Sequence, residues 1–318
     1  MARLVTVFGG SGFLGRHLVR RLAAEGDRVR IAVRDPEGAH FLKPAGNVGQ
    51  IVAVPANIRH EGSVRAAVAG ADAVVNLVGR ISPGGRNKLD AVHVQGARAV
   101  AAAAKAAGVK SLVHISALGA DAESRSPYLR TKGAGEAAVH EAFPGAVILR
   151  PALVFGPEDR FFNRFAALTG VGPALPVIGH ANFQPVYVGD VASAILAGIN
   201  NPALAGKTFS LGGPRTYSMQ QILEMVLAYT GRDRALIPVA LFLVQIQAFF
   251  LQFVPGKPLT PDQLHLLTSD NVVPEGAAGF AALGITPAAA EAIVPTYLAR
   301  FRNPFSPPNH SSPTQQST

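Results

Sequence analysis

The chain has 318 residues, of which 48% are hydrophobic and only 15% are charged, enough to fill a sizeable core in one large domain or two unequal parts. Lysine and arginine exceed aspartate and glutamate by 29 to 20, and the formal net charge of +9 favours phosphate-bearing ligands, anionic lipids or acidic partners. The lack of cysteine excludes disulfides, iron–sulfur clusters and thiolate zinc sites. The sequence also contains no basic run of the kind that binds nucleic acid. We therefore expect neither a metal centre nor a nucleic-acid partner.

Short β-like runs alternate with helical runs through the first half of the chain. The β-like runs predict strands at 4–9, 28–34, 48–56, 72–79, 110–119 and 145–156. Helical patterns between them predict helices at 15–26, 63–71, 89–108 and 128–143. Such alternation with short turns is typical of α/β proteins, so we predict a Rossmann-type, doubly wound parallel sheet forming a dinucleotide-binding domain over residues 1–155.

The regular alternation ends after Gly156, where glycine and proline interrupt the pattern repeatedly. Strand–helix segments return at 185–199 and 207–231. We therefore predict a small irregular C-terminal lobe over 156–302, which serves a substrate or partner and returns some elements to the sheet. The polar, proline-rich segment 303–318 has the composition of a disordered tail.

Four glycines fall within residues 9–15, between the first predicted strand and the first predicted helix. Both Gly10-x-Gly12-x-x-Gly15 and Gly9-x-x-Gly12-x-x-Gly15 are present, and such spacings let a backbone approach a pyrophosphate at a helix N-terminus. A tight turn without a ligand would also use glycine, but the position between strand and helix favours a dinucleotide site. The predicted loop contacts are Gly9, Gly10, Ser11, Gly12, Phe13, Leu14, Gly15 and Arg16.

The tip of the second predicted strand bears on the choice of dinucleotide. NAD sites usually place an acidic residue there for the ribose 2′-hydroxyl, whereas a guanidinium suits a 2′-phosphate. Arg34 occupies the tip, Arg16 is a second candidate clamp, and Asp35 follows one residue late. The pattern therefore favours NADPH over NADH, with solvated surface charge as the alternative role of both arginines.

Tyr128 and Lys132 lie four residues apart on a predicted helix, and Ser116 ends the strand before it. A phenol ionises near pH 10, and a neighbouring ammonium lowers that pKa, which makes the tyrosine usable as an acid or base. A serine hydroxyl can orient a carbonyl or hydroxyl group of a substrate. These three are the candidate catalytic residues, and Tyr128 and Lys132 are also predicted to contact the cofactor.

Together with VVNLVG, HISALGA, LRPALVFGPEDRF and QPVYVGDVASAI, these motifs make the chain resemble the extended or atypical short-chain dehydrogenases/reductases over about residues 1–300. Within that superfamily, SPYLRTKGAGEAAV, FGPEDRFFNRFA and PLTPDQLHLLTSDNVV most resemble the NADPH-binding accessory subunit of respiratory complex I. The resemblance implies that Asn76 and Gly79 border the adenosine half of the cofactor. It also implies that Pro151 and Val154 lie near the nicotinamide and that Asn57 contacts the adenine.

Two positions depart from the pattern of active relatives. His93 stands where many of them carry an asparagine that holds a proton-relay water, and Asn57 replaces the usual aspartate. His93 either relays protons itself or serves packing alone. The departures favour an NADP(H)-binding accessory subunit of complex I with a structural nucleotide. The alternative is an active NADPH-dependent reductase, epimerase or dehydratase that uses Ser116, Tyr128 and Lys132.

The segment 236–255 is almost entirely apolar, and the whole chain has a mean hydropathy of +0.25. We predict an apolar helix near 238–254 that lies against lipid or a partner, packs in its own lobe, or spans a membrane with a length of about 26 Å. Arg232, Arg234 and Lys257 flank this segment and suit anionic headgroups. The expected partners are therefore complex I core subunits and an anionic lipid surface, while a small-molecule substrate stays open.

Several further basic residues either bind a phosphorylated substrate or are ordinary solvated charge: Arg80, Arg86, Lys88, Arg160 and Arg164. Glycines interrupt the first apolar stretch and arginines follow at once, so we expect no signal peptide. The expected location is cytoplasmic, peripheral on the cytoplasmic face of the inner membrane.

Overall fold

The structure is a computed structural model that describes residues 2–81, 88–242, 244–245 and 260–302. Its strands are β1 (Leu4–Phe8), β2 (Arg28–Val33), β3 (Ile51–Pro55), β4 (Ala73–Asn76), β5 (Ser111–Ile115), β6 (Val147–Pro151), β7 (Val154–Phe155), β8 (Ala174–Ile178), β9 (Asn182–Phe183), β10 (Val186–Tyr187), β11 (Thr208–Leu211), β12 (Tyr217–Ser218) and β13 (Ala235–Val239). Seven of them form one sheet in the order β11-β6-β5-β4-β1-β2-β3. Every neighbouring pair in it is parallel, so the predicted α/β fold with a doubly wound parallel sheet is confirmed.

Helices cover both faces of this sheet. The α-helices are α1 (Phe13–Ala24), α2 (Glu61–Val68), α3 (Ala97–Ala106), α4 (Pro127–Ala142), α5 (Phe162–Leu168), α6 (Val188–Asn200), α7 (Met219–Thr230), α8 (Pro261–Thr268) and α9 (Ala290–Leu298). On β1, Val5 and Val7 pack with α1 and α6 in one buried cluster, whereas Phe8 joins the cluster of α2, α3 and α4 on the opposite face. Two apolar layers therefore sandwich strands whose side chains alternate between them.

A smaller lobe is built from β7 and parts of the chain that follow it. Its strands form three two-stranded sheets: β7 with β10 and β8 with β13 in parallel, and β9 with β12 antiparallel. A third buried cluster holds aromatic side chains such as Phe155, Phe162 and Phe183. Asp159, near the start of the lobe, is joined to its last helix, because the hydroxyl of the buried Tyr297 on α9 donates to Oδ2 of Asp159 at 2.8 Å. Strand β11 and helix α6 return from this part of the chain to the main sheet.

Two predicted elements differ in detail from the structure. The strand predicted over 145–156 is divided into β6, which pairs with β11, and β7, which pairs with β10. The Ala152 N–H donates to the Leu211 carbonyl oxygen, and the Leu153 N–H donates to Asn271 Oδ1. The helix predicted over 89–108 begins with a π-helical turn, Ala91–Gly96, before α3.

The apolar helix predicted near 238–254 begins later than expected. Pro238 and Val239 are extended instead, because β13 pairs with β8 through Pro238–Val177 and Val239–Ile178. Residues 241–242 and 244–245 are helical, while 243 and 246–254 lie outside the described residues, as does the predicted tail 303–318. Within the described ranges, the structure contains no helix long and apolar enough to cross a membrane.

Candidate functional site

The glycine-rich loop joins β1 to α1 at the carboxyl edge of the sheet. Gly9 has a φ of +77°, a conformation that side chains disfavour, and its carbonyl oxygen accepts the Gly12 N–H at 3.0 Å. Helix α1 begins directly after Gly12, which is exposed at the helix N-terminus. A Cβ on Gly15 would lie 2.5 Å from the Gly10 carbonyl oxygen, so the helix packs against the turn at a distance only glycine permits. The loop thus offers bare backbone N–H groups to an anion.

The tip of β2 carries the residues that bear on cofactor choice. Arg34 is exposed and makes no hydrogen bond or ion pair with another residue in the described ranges. Asp35 uses its Oδ1 to accept the Gly38 N–H at 3.1 Å, which closes the next turn. The acidic side chain that would suit a ribose 2′-hydroxyl is therefore engaged locally, and the guanidinium of Arg34 is available.

Arg16, the second predicted clamp, contacts the C-terminal lobe. Its Nη1 lies 3.6 Å from Oε1 of Glu158, and its guanidinium lies 5.2 Å from the centre of the Phe41 ring. His17 Nε2 lies 2.8 Å from the other oxygen of Glu158. Although burial opposes it, the His17 hydrogen bond and the charges of His17 and Arg16 hold the pKa of Glu158 below its usual value. The contact of Arg16 with a 2′-phosphate stays a prediction.

The ends of β3 and β4 carry two predicted adenosine contacts. Asn57 is half-buried, and its Oδ1 accepts the Arg59 N–H at 3.2 Å. Asn76 is buried; its Nδ2 lies 3.2 Å from Nδ1 of His114, and its Oδ1 accepts the Val78 N–H at 3.1 Å. Asn76 therefore shapes the turn after β4 through internal bonds. Its predicted place beside the adenosine stays a prediction.

Ser116 lies directly after β5 and Pro151 ends β6, at the same carboxyl edge as the glycine loop. In parallel sheets this edge is where dinucleotides bind. Ser116 is 4% exposed, and its Oγ has no hydrogen-bond partner among the described residues. Because an orphaned buried hydroxyl is costly, a ligand atom is the expected partner. The glycine cradle and this hydroxyl therefore fit a dinucleotide, with Gly79, Pro151 and Val154 as further predicted contacts.

Tyr128 and Lys132 both lie on α4, four residues apart, as the sequence indicates, and their pairing in catalysis stays a prediction. The Lys132 Nζ donates to the Ile115 carbonyl oxygen at 2.7 Å, and burial lowers its pKa to about 8. Burial, together with the negative charge of Asp262, raises the pKa of Tyr128 to about 12. The pKa of the Tyr128 phenol therefore lies well above neutral pH.

His93 lies beside this pair, with its ring centre 5.7 Å from that of Tyr128 in an edge-to-face arrangement. Its Nε2 accepts the Arg80 N–H at 3.0 Å, so the ring proton is on Nδ1, which donates to Thr131 Oγ1 at 2.9 Å. Burial, and next the charge of Lys132, lower its pKa to about 3. Both nitrogens are engaged and the ring is neutral, so the structure favours packing over proton relay.

Two contacts of the site have no counterpart in the sequence-based list. Ser126 caps α4 and donates its hydroxyl proton to Asp262 Oδ1 at 2.6 Å. Glu136, on the same helix, forms a bidentate ion pair with Arg150 of β6 at 2.9 and 2.5 Å. For the contact between Ser126 and Asp262, the sequence offered only two Ser/Thr-Pro pairs, 126–127 and 260–261. Such pairs are typical of helix starts but do not indicate which helices meet.

The NAD dependent epimerase/dehydratase family matches residues 5–212. The chain belongs to that family. The solved structure of a nucleoside-diphosphate-sugar epimerase from Staphylococcus aureus superposes with a TM-score of 0.71 at 18% identity, over 94% of this chain and 100% of that one. This likeness supports the epimerase/dehydratase fold.

Proteins with similar sequences match the chain beyond residue 212, where the family match ends. The NADH dehydrogenase (ubiquinone) 1 alpha subcomplex subunit 9 of Arabidopsis thaliana is 34% identical over 94% of this chain and 78% of its own length. A ceramide reductase of Caulobacter vibrioides is 34% identical over 63% of this chain and 62% of its own length. Within the epimerase/dehydratase family the chain thus groups with the complex I subunits, and the resemblance noted in its motifs is confirmed.

Proposed function

We propose that the chain is an NADP(H)-binding accessory subunit of respiratory complex I in which the nucleotide is structural. The observation that carries the proposal is the 34% identity to a complex I subunit over 94% of the chain, which includes α8 and the lobe around it. The ceramide reductase, in contrast, covers only 63% of the chain. The complex I subunit therefore matches more of the chain than the reductase does.

The described residues suggest how the nucleotide is held. The Gly9–Gly15 turn and the N-terminus of α1 bind the diphosphate, because close packing of Gly15 on the Gly10 backbone brings the start of the helix and its free N–H groups up to the turn. The guanidinium of Arg34 binds the 2′-phosphate, which makes NADPH the proposed cofactor and NADH the weaker one. Ser116 supplies a hydroxyl toward the nicotinamide end. A nucleotide at a hundred times its Kd would stabilise the fold by about 2.7 kcal/mol.

The protonation states of the site support binding rather than turnover. A reductase of this type uses the hydride of NADPH and needs a tyrosine that readily exchanges its proton. Here the pKa of Tyr128 is raised to about 12 by burial and by Asp262, and Lys132 donates to a carbonyl oxygen. His93 has no free nitrogen for a relay. A phenol with so high a pKa gives up its proton reluctantly, which favours a nucleotide that is held rather than turned over.

An apolar surface supports peripheral attachment to the respiratory membrane or its subunits. Ile237, Leu241 and Phe242 are exposed by 51%, 38% and 59%, on the segment that ends β13 and leads into the apolar run. Arg234 lies just before them, and its Nε donates to the Thr169 carbonyl oxygen. Exposed apolar side chains beside a cation suit an anionic lipid surface or a partner subunit. We propose that this surface faces the membrane side of the complex, on the cytoplasmic side in a bacterium.

Gentle solubilisation of native membranes followed by native electrophoresis tests this function. We expect the chain to co-migrate with complex I, and mass spectrometry of the band to detect NADP(H) at about one per chain. An Arg34→Glu chain, expressed in place of the wild type, serves as the matched control for nucleotide identity. Separation of the chain from complex I under conditions that keep the core subunits together would refute the proposal.

The second candidate is an active NADPH-dependent reductase, and the orphaned Ser116 hydroxyl favours it. An unpartnered buried hydroxyl can orient a substrate carbonyl, and Ser116 directly follows Ile115, whose carbonyl oxygen accepts the Lys132 Nζ. Substrate-dependent loss of NADPH absorbance that disappears in Tyr128→Phe would support this activity. Such loss in a chain that does not co-migrate with complex I would replace the first proposal by the second.

A further inference from the structure

A turn of the C-terminal lobe brings a carboxylate to the helix that follows the glycine-rich loop. The turn, residues 156–159, comes directly after β7, and Glu158 extends from it toward α1. Its Oε2 lies 2.8 Å from His17 Nε2, and its Oε1 lies 3.6 Å from Nη1 of Arg16. The first turns of α1, which are proposed to hold an anionic diphosphate, are therefore contacted by an acidic side chain from the other half of the chain.

The turn that carries this carboxylate is fixed by contacts with the last helix of the lobe. Asp159, which is 4% exposed, accepts the hydroxyl proton of Tyr297 on α9 through Oδ2 at 2.8 Å. Arg300, just after α9, donates through Nη2 to the Pro157 carbonyl oxygen at 3.0 Å. The lobe therefore presents Glu158 from a rigid turn, and the position of that turn does not depend on the ion pair itself.

Arg16 has hydrogen-bonding capacity to spare. A guanidinium carries five N–H donors, and among the described residues Arg16 uses one of them, in a long bond from Nε to the Gly12 carbonyl oxygen at 3.4 Å. The Glu158 carboxylate at 3.6 Å lies beyond hydrogen-bond distance. On its other side, the guanidinium lies 5.2 Å from the centre of the Phe41 ring, in the segment that follows Arg34. Arg16 thus lies between the glycine loop and the tip of β2, where the 2′-phosphate of NADPH is proposed to bind.

Folding stability is a weak explanation for this ion pair. The side chains of Arg16 and Glu158 are 28% and 30% exposed, and ion pairs of such exposure contribute little to folding. The same carboxylate matters more to a bound phosphate, which carries negative charge and needs the same guanidinium. A phosphate on Arg16 would lie less than about 8 Å from the carboxylate, a distance over which salt screens charges only in part.

We propose that Glu158 is a specificity-determining residue, which lowers the preference of the site for NADPH over NADH by engaging Arg16. This inference rests on the proposed function of the chain as an NADP(H)-binding subunit and concerns the same nucleotide site. The 2′-phosphate must compete with a fixed carboxylate for Arg16, whereas the 2′-hydroxyl of NADH carries no charge and needs no such competition. Through Glu158, the C-terminal lobe sets how strongly the glycine-rich half discriminates between the two nucleotides.

Calorimetric titration of the purified full chain with NADPH and with NADH tests the proposal. Glu158→Gln removes the charge and keeps an oxygen that can accept the His17 N–H. We expect the Kd for NADPH to fall about two- to fivefold, as suits the loss of a partly exposed charge, and the Kd for NADH to stay unchanged. Because the effect is transmitted by Arg16, adding Glu158→Gln to Arg16→Gln should not change the Kd for NADPH further.

Two more variants complete the design. Glu141→Gln is the matched control, because Glu141 forms an ion pair of 2.8 Å with Arg98 on the face of the sheet opposite α1. It should change neither Kd. Glu158→Ala is a second neutral variant, used if the glutamine variant does not fold, and it should also tighten NADPH binding.

Several results would overturn the proposal. These are an unchanged ratio of the two Kd values in the neutral variants, an equal fall in the control, and an effect of Glu158→Gln that persists in Arg16→Gln. Failure of both neutral variants to fold would show that the pair serves stability, and would overturn it as well.

This inference and the proposed function fail separately. Tighter NADPH binding by Glu158→Gln, in a chain that does not co-migrate with complex I, leaves the role of Glu158 standing and refutes the proposed function. Co-migration with bound NADP(H), together with an unchanged ratio of Kd values, does the reverse. A wild-type chain that binds neither nucleotide refutes the role of Glu158, and membership of complex I is then decided by co-migration.

Discussion

Replacement of Gly15 by alanine is the sharpest test of the nucleotide site. The added Cβ would lie 2.5 Å from the Gly10 carbonyl oxygen, whereas ordinary contacts begin at 3.4 Å, so the turn or the helix must move by about 0.9 Å. The three atoms nearest to the added Cβ all belong to the Gly10 backbone, which cannot rotate away as a side chain could. Overpacking of this kind costs about 1–3 kcal/mol, which corresponds to a fall in Tm of about 2–6 °C at about 2 °C per kcal/mol for a chain of this size.

The same displacement affects the loop that is proposed to bind the diphosphate. A misplacement of about 1 Å can weaken a positioned interaction by up to a hundredfold, so we expect the Kd for NADPH to rise by about tenfold to a hundredfold. Calorimetric titration with NADPH, and thermal unfolding with and without it, measure both effects.

Gly62 offers the matched control, because it lies in α2 with nothing within 4 Å of its would-be Cβ. Gly62→Ala should leave NADPH binding unchanged and stabilise the chain by about 0.5–1 kcal/mol. If Gly15→Ala unfolds at the wild-type temperature and binds NADPH as the wild type does, the reasoning about the close approach is wrong.

Three further predictions concern other parts of the site. Arg34→Glu should raise the Kd for NADPH at least about tenfold, because it sets a carboxylate against the 2′-phosphate, and should leave NADH almost unaffected in the same titration. Arg150→Ala leaves the Glu136 carboxylate, 8% exposed, without its ion pair, and should cost about 3 kcal/mol in urea unfolding; a loss below about 1 kcal/mol would contradict a buried pair. In the folded chain, Lys132 has a pKa of about 8 against an ordinary 10.5, so between pH 8 and 10.5 the unfolded chain binds more protons than the folded one. The free energy of unfolding of the wild type should therefore increase by up to about 3 kcal/mol as pH rises through this range. Lys132→Met should lack this gain in unfolding curves measured from pH 7 to 10, and parallel curves for the two chains would refute the shift.

Local pattern was enough to predict the framework of the site. The glycine spacing predicted the turn at Gly9 because a positive φ and a close helix approach leave few other residues possible. Strand–helix alternation predicted that Ser116 ends a strand, one residue later than the structure ends β5, and that Lys132 lies on the next helix. These features depend on neighbours a few residues apart, and such neighbours are visible in one sequence.

The details of chemistry depended on contacts that the pattern does not contain. The bond of Lys132 to the Ile115 carbonyl oxygen depends on the packing of α4 against β5, and the bond of Ser126 to Asp262 spans 136 positions. The apolar run after Leu236 looked helical from its start, but pairing with β8 kept Pro238 extended. Tertiary pairing there outweighs a pattern read from composition alone.

Strand β11 has a consequence for how the chain can be divided. It occupies the outer edge of the main sheet beside β6, although it lies more than fifty residues after the predicted boundary at 155. A fragment that ends at 155 would expose the backbone of β6 as an open edge, and exposed edges recruit other chains. Such a fragment should aggregate during recombinant production, whereas one that runs to residue 302 should stay monodisperse. The nucleotide-binding half is thus completed by residues from the half that follows it.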